Sequence, residues 1–281
     1  MRTNNAMQLK AIIKRRAAEA GVSPQLMLQN YMLERLIDRI SKSPWRSSII
    51  VKGGMLIGSL IGVDRRSTKD LDTTIRNFTL SHQKAEEVFR GICRVEVDDD
   101  IVFAFARTED IRDTDDYPGI RVFLKANYAP MSIPVKVDIT TGDAIVPEAM
   151  TYEYPFAFDE GSARILAYPL ETIFAEKLET VLTRSTANTR LRDHYDIYEL
   201  WHIRGTECNI PLLREALTAT CEKRGSLGIV QDYKDILASV KASDIMSRRW
   251  NSYVKDHSYA SGISFADTCE TAENIMSMLF H

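Results

Sequence analysis

The stretch from Ile49 to Ile75, IIVKGGMLIGSLIGVDRRSTKDLDTTI, predicts a strand, a glycine turn, a helix and a second strand. Three β-branched residues open it, and Gly53-Gly54 interrupts them where an apolar segment of helical length begins. Such a turn leaves free backbone N–H groups at a helix N-terminus, where the helix dipole favours phosphate. The first half of the stretch therefore predicts a phosphate-binding turn.

Two acidic residues of the second predicted strand, Asp70 and Asp72, are separated by one residue. Side chains two positions apart on a strand point to the same face, so we expect both carboxylates to project together. Adjacent carboxylates favour a cation, although acidic pairs at strand ends also occur as solvated groups. A third acid, Asp138, lies in PVKVDIT, where alternation places it on the polar face of another strand with Lys136. Asp138 can then complete a carboxylate trio, with a solvent-facing strand edge as the alternative.

The helix predicted from PLETIFAEKLETVL, which begins at Pro169, carries a lysine on its apolar side. A lysine on an inward face is costly unless it contacts an anion or reaches water, so Lys177 needs a partner. The next predicted helix offers Asp193 and Asp196, which lie three positions apart and can face one neighbouring helix. We expect the Lys177 helix to pack against the strand region, with its ammonium group directed into a cleft that holds the acidic pair.

The order of these elements resembles the signature of the polymerase-β-like nucleotidyltransferase superfamily, in which a GG turn and a helix precede a DxD strand. Segment 52–72, KGG…RRSTKDLD, is similar in particular to the AbiE-type (AbiEii/AbiGii) abortive-infection toxins of type IV toxin–antitoxin systems. Glu176-Lys177-Leu178 resembles the lysine element of these toxins, and RLRDHYDI at 190–197 resembles their RxxDxxDI element. The ordered set of elements is more specific than any one of them.

This resemblance implies transfer of a nucleotide from a nucleoside triphosphate (NTP) to an acceptor hydroxyl, with release of pyrophosphate. Asp70, Asp72 and Asp138 would bind two Mg²⁺ ions, or Mn²⁺ in their place, and Asp138 would also be placed to take the acceptor's proton. The nucleotide would contact residues around the glycine turn and one lysine, namely Lys52, Gly53, Gly54, Arg65, Arg66, Ser67 and Lys177. Asp193 and Asp196 would either orient Lys177 or contact the base.

By the same resemblance, the acceptor is the 3′ end of tRNA or another RNA, and the protein is a growth-inhibiting toxin neutralised by a cognate antitoxin. The alternatives are an enzyme that modifies a protein hydroxyl, a non-catalytic nucleotide- or RNA-binding module on the same fold, and an interaction protein acting through its helices. Retention of three acids and Lys177 disfavours the module. A protein kinase is excluded, because His194-Tyr195-Asp196 is followed by Trp201 where the kinase loop has Asn, and no GxGxxG precedes it.

At 281 residues the chain is longer than a typical single domain. Its pattern predicts an α+β fold, with a nucleotidyltransferase-like mixed sheet flanked by helices and followed by a C-terminal helical bundle. We place basic N-terminal helices at 1–46, the α/β domain at 47–164 and the helical domain at 165–281. Acidic segments at 98–100 and from Asp113 to Gly119 predict solvated loops between strands.

The net charge is −3, but residues 1–46 hold nine Lys and Arg against three Asp and Glu. Four of these basic residues share roughly one side of the first predicted helix, namely Lys10, Lys14, Arg15 and Arg16. This side is either a solvated face or a surface for nucleic-acid phosphates. Arg248, Arg249 and Trp250 form a second basic spot, for which helix packing and RNA contact are the two interpretations.

The four cysteines show no CxxC spacing, which disfavours a zinc site or a disulfide framework. No run reaches the roughly 18 apolar residues that a membrane span needs, and the N-terminus lacks the continuous apolar core of a secretory signal. We therefore expect a protein of the reducing cytoplasm that has no membrane partner.

Overall fold

The fold is given by a computed structural model that describes residues 3–111 and 119–280. The chain divides into two compact units. The first unit comprises Met1–Gly142 and Met150–Ala167, and the second comprises Asp143–Ala149 and Tyr168–His281. The predicted acidic loop from Asp113 to Gly119 lies outside the described residues, except that Gly119 begins a strand.

The first unit is built on a mixed sheet that has seven strands in the described part of the chain. The strands are β1 (Ile49–Lys52), β2 (Asp70–Ile75), β3 (Val102–Ile111), β4 (Gly119–Tyr128), β5 (Met131–Thr141), β6 (Met150–Pro155) and β7 (Ser162–Ala167). Their order in the sheet is β3-β4-β5-β2-β1-β7-β6. The β2–β5 and β1–β7 pairs are parallel and the other pairs are antiparallel. Together with its helices, this sheet confirms the predicted α+β class.

Four helices accompany the sheet, namely α1 (Ala6–Glu19), α2 (Pro24–Lys42), α3 (Gly53–Ile61) and α4 (His82–Cys93). Short polar side chains fix where three of these helices begin, because each accepts a hydrogen bond from a backbone N–H that the first turn leaves without a partner. Asn5, Ser23 and Ser81 do this for α1, α2 and α4. Pro24 then occupies the first turn of α2, where its missing N–H costs nothing.

The central strands bury one face and leave the other for polar side chains. Leu71, Val122, Val135 and Val137 are at most 1% exposed, and they alternate with half-buried residues along their strands. Helix α2 contacts β5 and β7, while α4 contacts β3 and β4. Burial of this apolar face leaves Asp70 and the residues in phase with it on the opposite face.

The prediction that the acidic segment 98–100 is a solvated loop is wrong for Asp99. Asp99, in the acidic segment 98–100, has a side chain only 2% exposed and accepts two hydrogen bonds from Arg39, at 2.9 and 2.6 Å. Arg39 belongs to a helix 60 residues earlier in the chain. The composition of the loop alone does not reveal this partner and therefore predicts that Asp99 is exposed to solvent. A buried, bidentate arginine–carboxylate pair ties this loop to α2.

The second unit is helical. It contains α5 (Leu170–Arg184), α6 (Leu191–Arg204), α7 (Ile210–Lys223), α8 (Tyr233–Lys241), α9 (Asp244–Asp256) and α10 (Phe265–Phe280). Tyr195, Trp250 and Phe265 are buried in one hydrophobic cluster, and the Trp250 Nε1–H donates to the carbonyl of Ile263 at 3.0 Å. Trp250 is therefore a core residue, which favours the packing interpretation of its basic spot. None of the described helices is long and apolar enough to cross a membrane.

Candidate active site

Charged side chains form a row across the centre of the sheet. The strand register pairs Lys52 of β1 with Asp72 of β2, and Asp72 with Asp138 of β5. It also pairs Asp138 with Arg121 of β4. Paired residues of adjacent strands point to the same face, so the four side chains lie side by side in that order. The structure thus brings Asp72 and Asp138, two of the three predicted acids, together on one face of neighbouring strands.

Asp70 lies on this face as well, two residues before Asp72 and paired in register with Lys136. Its Oδ1 atom is buried and accepts no hydrogen bond from the described residues. A buried carboxylate oxygen without a donor is costly, and such groups normally have a partner. The chemistry of this oxygen fits a bound cation.

Asp72 lies where negative charge is crowded. Burial raises the pKa of its carboxyl, the neighbouring Asp138 raises it further, and Lys52 opposes both effects. The backbone N–H of Gly54 donates to Asp72 Oδ2 over a long distance of 3.4 Å. A cation at this position would offset the repulsion between the carboxylates.

The glycine turn brings the start of α3 against β2. Gly53 has φ = +65°, a region that residues with a side chain rarely adopt, and a Cβ there would collide with Asp72 Oδ2. A Cβ on Gly54 would lie 2.8 Å from Thr68 Oγ1. Both glycines are therefore needed for close approach, which sets the free N–H groups of the α3 N-terminus beside the acids.

Helix α2 holds the segment that precedes β2. The side-chain amide of Asn30 donates to the carbonyl of Thr68 at 2.8 Å, and the Thr68 N–H donates back to Asn30 Oδ1 at 3.2 Å. The Gln29 side chain donates to the carbonyls of Lys69 and Pro134, at 3.2 and 3.0 Å. These contacts fix the approach to β2 and join it to β5. No local pattern predicts these contacts, because the partners lie far apart along the chain.

The three residues expected to add phosphate contacts differ in accessibility. Arg65 is exposed, whereas Arg66 and Ser67 are each 4% exposed. The Arg66 guanidinium donates to the carbonyl of Ser67 at 2.8 Å. The Ser67 hydroxyl has no hydrogen-bond partner within the described ranges. Arg65 is thus the member of this group whose side chain solvent reaches.

Arg121 is a charged residue of this face that the sequence patterns did not indicate. Its Nε and Nη2 atoms donate to the two oxygens of Asp138 at 2.7 and 2.8 Å. These hydrogen bonds raise the pKa of the guanidinium above its already high value, so Arg121 is charged. Alternation along β4 places Arg121 on the polar face, but only the β4–β5 register reveals that it lies opposite Asp138.

The second unit contains its own charged cluster. Lys177 Nζ donates to Asp193 Oδ1 at 2.9 Å and to Asp196 Oδ2 at 2.6 Å. Arg190 lies 3.2 Å from the other oxygen of Asp193. Burial raises the pKa of Asp193, but Lys177 and Arg190 outweigh it and lower the value to about 2. Of the two roles expected for Asp193 and Asp196, the geometry matches orientation of Lys177.

The model of the nucleotidyl transferase AbiEii toxin family, from type IV toxin–antitoxin systems, matches residues 35–270. The chain belongs to this family. No curated protein sequence matches it.

Solved structures share the fold of this AbiEii toxin. A candidate nucleotidyltransferase from H. pylori is 15% identical with a TM-score of 0.51, and the match covers 92% of this chain and 97% of that one. JHP933 from Helicobacter pylori is 16% identical with a TM-score of 0.51, with coverages of 92% and 94%. At these identities the likeness shows the fold alone, and the AbiEii family match carries the assignment as a nucleotidyltransferase and toxin.

Nucleotidyltransferases of this kind use divalent metal ions, and the site can be tested for its fit to one. Asp70 offers a buried oxygen that lacks a hydrogen-bond donor among the described residues, and Asp72 stands beside it on the same face. No group of three or more His, Cys, Asp or Glu side chains is placed to hold a metal in the described ranges. The donor set of this AbiEii toxin therefore fits a cation bound by two carboxylates, with other ligands coming from a substrate or from water.

Proposed function

We propose that this AbiEii toxin transfers a nucleoside monophosphate from an NTP to an acceptor hydroxyl and releases pyrophosphate. The observation that carries the proposal is the buried Oδ1 of Asp70, which accepts no hydrogen bond from the described residues and lies beside Asp72, near the N-terminus of the helix that Gly53 and Gly54 open. A carboxylate pair next to free backbone N–H groups suits a substrate that joins a divalent cation to a triphosphate.

Each part of the site has a task in this reaction. The N–H groups at the start of α3 bind the β- and γ-phosphates, and Lys52 and Arg65 add positive charge beside them. Asp70 and Asp72 would hold Mg²⁺, which would neutralise the negative charge that grows on the leaving pyrophosphate. With the phosphates bound at the start of α3, the α-phosphate would be held in position for in-line attack by the acceptor.

Lys177 is proposed to neutralise the triphosphate. Support comes from its position in the lysine element of the AbiE-type toxins and from its two carboxylate partners, which keep an amine charged in a half-buried position. Asp193 and Asp196 orient it, since each accepts one of its N–H bonds.

The acceptor we propose is the 3′-terminal hydroxyl of a tRNA, and the biological effect is growth inhibition relieved by a cognate antitoxin. The basic side of α1 supports a nucleic-acid partner, because Lys10 and Lys14 are exposed and the Arg15 side chain is 71% exposed. Arg16 contributes less, because it donates to the carbonyl of Ala157 and lies over the ring of Phe158.

The test is to incubate the purified protein with each α-labelled NTP, Mg²⁺ and total tRNA, and to measure label in RNA together with pyrophosphate. Label that ribonuclease removes supports RNA as the acceptor. Label that only a protease removes indicates a protein hydroxyl instead. Saturable NTP binding without pyrophosphate would overturn the enzymatic proposal. Asp72→Asn should abolish incorporation, while Asp100→Asn, which removes an exposed carboxylate of the same unit, should not.

A further inference from the structure

Arg121 occupies both oxygens of the third carboxylate. Its Nε–Asp138 Oδ1 distance is 2.7 Å and its Nη2–Asp138 Oδ2 distance is 2.8 Å. This is the parallel, two-bond geometry in which a guanidinium binds a carboxylate most strongly. The two residues are direct register partners on β4 and β5, so the backbone of the sheet holds them opposite each other.

Asp70 and Glu109 also act on the charge of Arg121, but neither accepts a hydrogen bond from it in the described part of the chain. Its neighbour in the row on β3 is Glu109, which is itself bound by Arg107 at 2.6 Å. All the hydrogen bonds that Arg121 donates within the described ranges go to Asp138. Removing Asp138 from this pair would therefore cost two charge-assisted hydrogen bonds and leave the guanidinium without its acceptor.

The pair is also partly shielded from water. The side chain of Arg121 is 31% exposed and that of Asp138 is 18% exposed. Partial burial strengthens the attraction between them relative to a pair on an open surface. A divalent cation that approached Asp138 would meet a fixed positive charge at close range, and the repulsion would oppose its binding.

The other two acids are in a different state. Asp70 Oδ1 is buried without a hydrogen-bond donor among the described residues. Asp72 accepts a long bond of 3.4 Å from the Gly54 N–H. Neither accepts a hydrogen bond from an arginine in the described ranges. The charge of Arg121 also acts on Asp70 and that of Lys52 on Asp72, but of the three carboxylates only Asp138 would have to leave a bidentate pair to bind a cation.

We propose that Arg121 replaces a second metal ion at Asp138, so that this toxin binds one divalent cation, on Asp70 and Asp72, with its nucleotide. The inference rests on the proposed nucleotidyl transfer and changes the expectation of two ions. Arg121 is then a positioning residue. It fixes the Asp138 carboxylate beside the cation site and balances its charge without occupying the coordination sphere.

The test counts bound Mn²⁺ on the full chain by electron paramagnetic resonance, in the presence of a non-hydrolysable NTP analogue at a concentration below that of the protein. The wild-type protein should bind one Mn²⁺ per bound analogue. Arg121→Gln should bind two, because Asp138 is released, and Arg121→Gln combined with Asp138→Asn should return to one. Arg107→Gln is the matched control, since it removes an arginine from the neighbouring strand, and its count should stay at one.

Two Mn²⁺ per analogue in the wild-type protein would overturn the inference, and so would a folded Arg121→Gln variant that still binds one. If Arg121→Gln does not fold, Arg121→Met takes its place, because it keeps the apolar stem and removes only the charged group. It should also bind two Mn²⁺ per analogue, and a folded Arg121→Met that binds one would overturn the inference. Failure of the underlying function is distinguishable. In that case the wild-type protein binds neither the analogue nor Mn²⁺ and releases no pyrophosphate.

Discussion

Lys177 joins two helices of the second unit by donating to Asp196 on α6 at 2.6 Å from its place on α5. Asp196 is fully buried and Asp193, the other acceptor, is 3% exposed. Lys177→Met keeps the apolar stem but removes the ammonium group that the two buried carboxylates share. We expect a loss of about 3–5 kcal/mol in the free energy of unfolding, as for other broken buried pairs, and a loss of nucleotide transfer.

Urea denaturation measures this cost, and Lys241→Met is its control. Lys241 pairs with Glu270 at a similar distance of 2.7 Å, but on an exposed surface, so its replacement should leave the denaturation midpoint unchanged. Equal midpoints for Lys177→Met and the wild-type protein would show that the cluster contributes no stability.

Gly53→Ala tests the close approach of the glycine turn to β2. The substitution combines a strained φ of +65° with a collision between the new Cβ and Asp72 Oδ2. Gly225 is a matched control, because its φ is +66° and nothing lies within 4 Å of a Cβ there. Gly225→Ala should lower the unfolding free energy by about 1 kcal/mol through backbone strain alone. Gly53→Ala should lose more stability and most activity, since Asp72 must move, and equal effects of the two variants on activity would contradict this reading.

Much of the candidate site follows from local patterns. The period of two along a strand puts Asp70 and Asp72 on one face, and the same period puts Asp138 on the polar face of its strand. The interruption by Gly53-Gly54 correctly located the start of α3. These inferences need only the residues within a few positions, which is why they could be made from the sequence.

The features that sequence reasoning missed depend on register and distant partners. The two-residue turn Ala129-Pro130 joins β4 to β5 and sets the register that places Arg121 opposite Asp138. The sequence pattern alone did not locate this turn, so the pairing was not predicted. The contacts of Asn30 with Thr68 span 38 residues. Strands β6 and β7 were not predicted, although Met150, Tyr152 and Tyr154 alternate with polar residues along β6 and the buried positions of β7 also alternate. The role of Asp138 as a metal ligand stays a prediction, and Arg121 would compete with the metal for the Asp138 carboxylate.

Asp72→Asn should abolish transfer and slightly stabilise the protein in the absence of metal. Burial and the charge of Asp138 both disfavour the ionised carboxylate, and an amide removes this repulsion. Thermal unfolding in the presence of a chelator measures the effect, with Asp100→Asn as the exposed control. A clear fall in the melting temperature of Asp72→Asn would indicate that Asp72 stabilises the fold by its charge.

Reversal of two α1 charges tests the RNA surface. Lys10→Glu combined with Lys14→Glu should weaken tRNA binding and flatten its dependence on salt, because fewer counterions are released. NTP binding should not change. Lys234→Glu combined with Lys255→Glu makes the same change in net charge on exposed positions of the second unit. A salt dependence that is equal in the α1 variant and the wild-type protein would return α1 to a solvated face.

His194 should make the second unit sensitive to acid. Burial lowers the pKa of its imidazole to about 4, and neither ring nitrogen has a hydrogen-bond partner among the described residues. The unfolded chain takes up a proton near pH 6.5, whereas the folded chain resists it until about pH 4, so stability falls as the pH drops through this window. The loss of stability approaches about 3 kcal/mol at the lower end of this window.

His194→Leu should remove this part of the pH dependence without losing a hydrogen bond, whereas His202→Gln, at an exposed position of the same helix, should retain it. Urea midpoints measured at pH 7 and pH 4.5 decide the matter, and an equal drop for His194→Leu and the wild-type protein would assign the acid sensitivity to other groups.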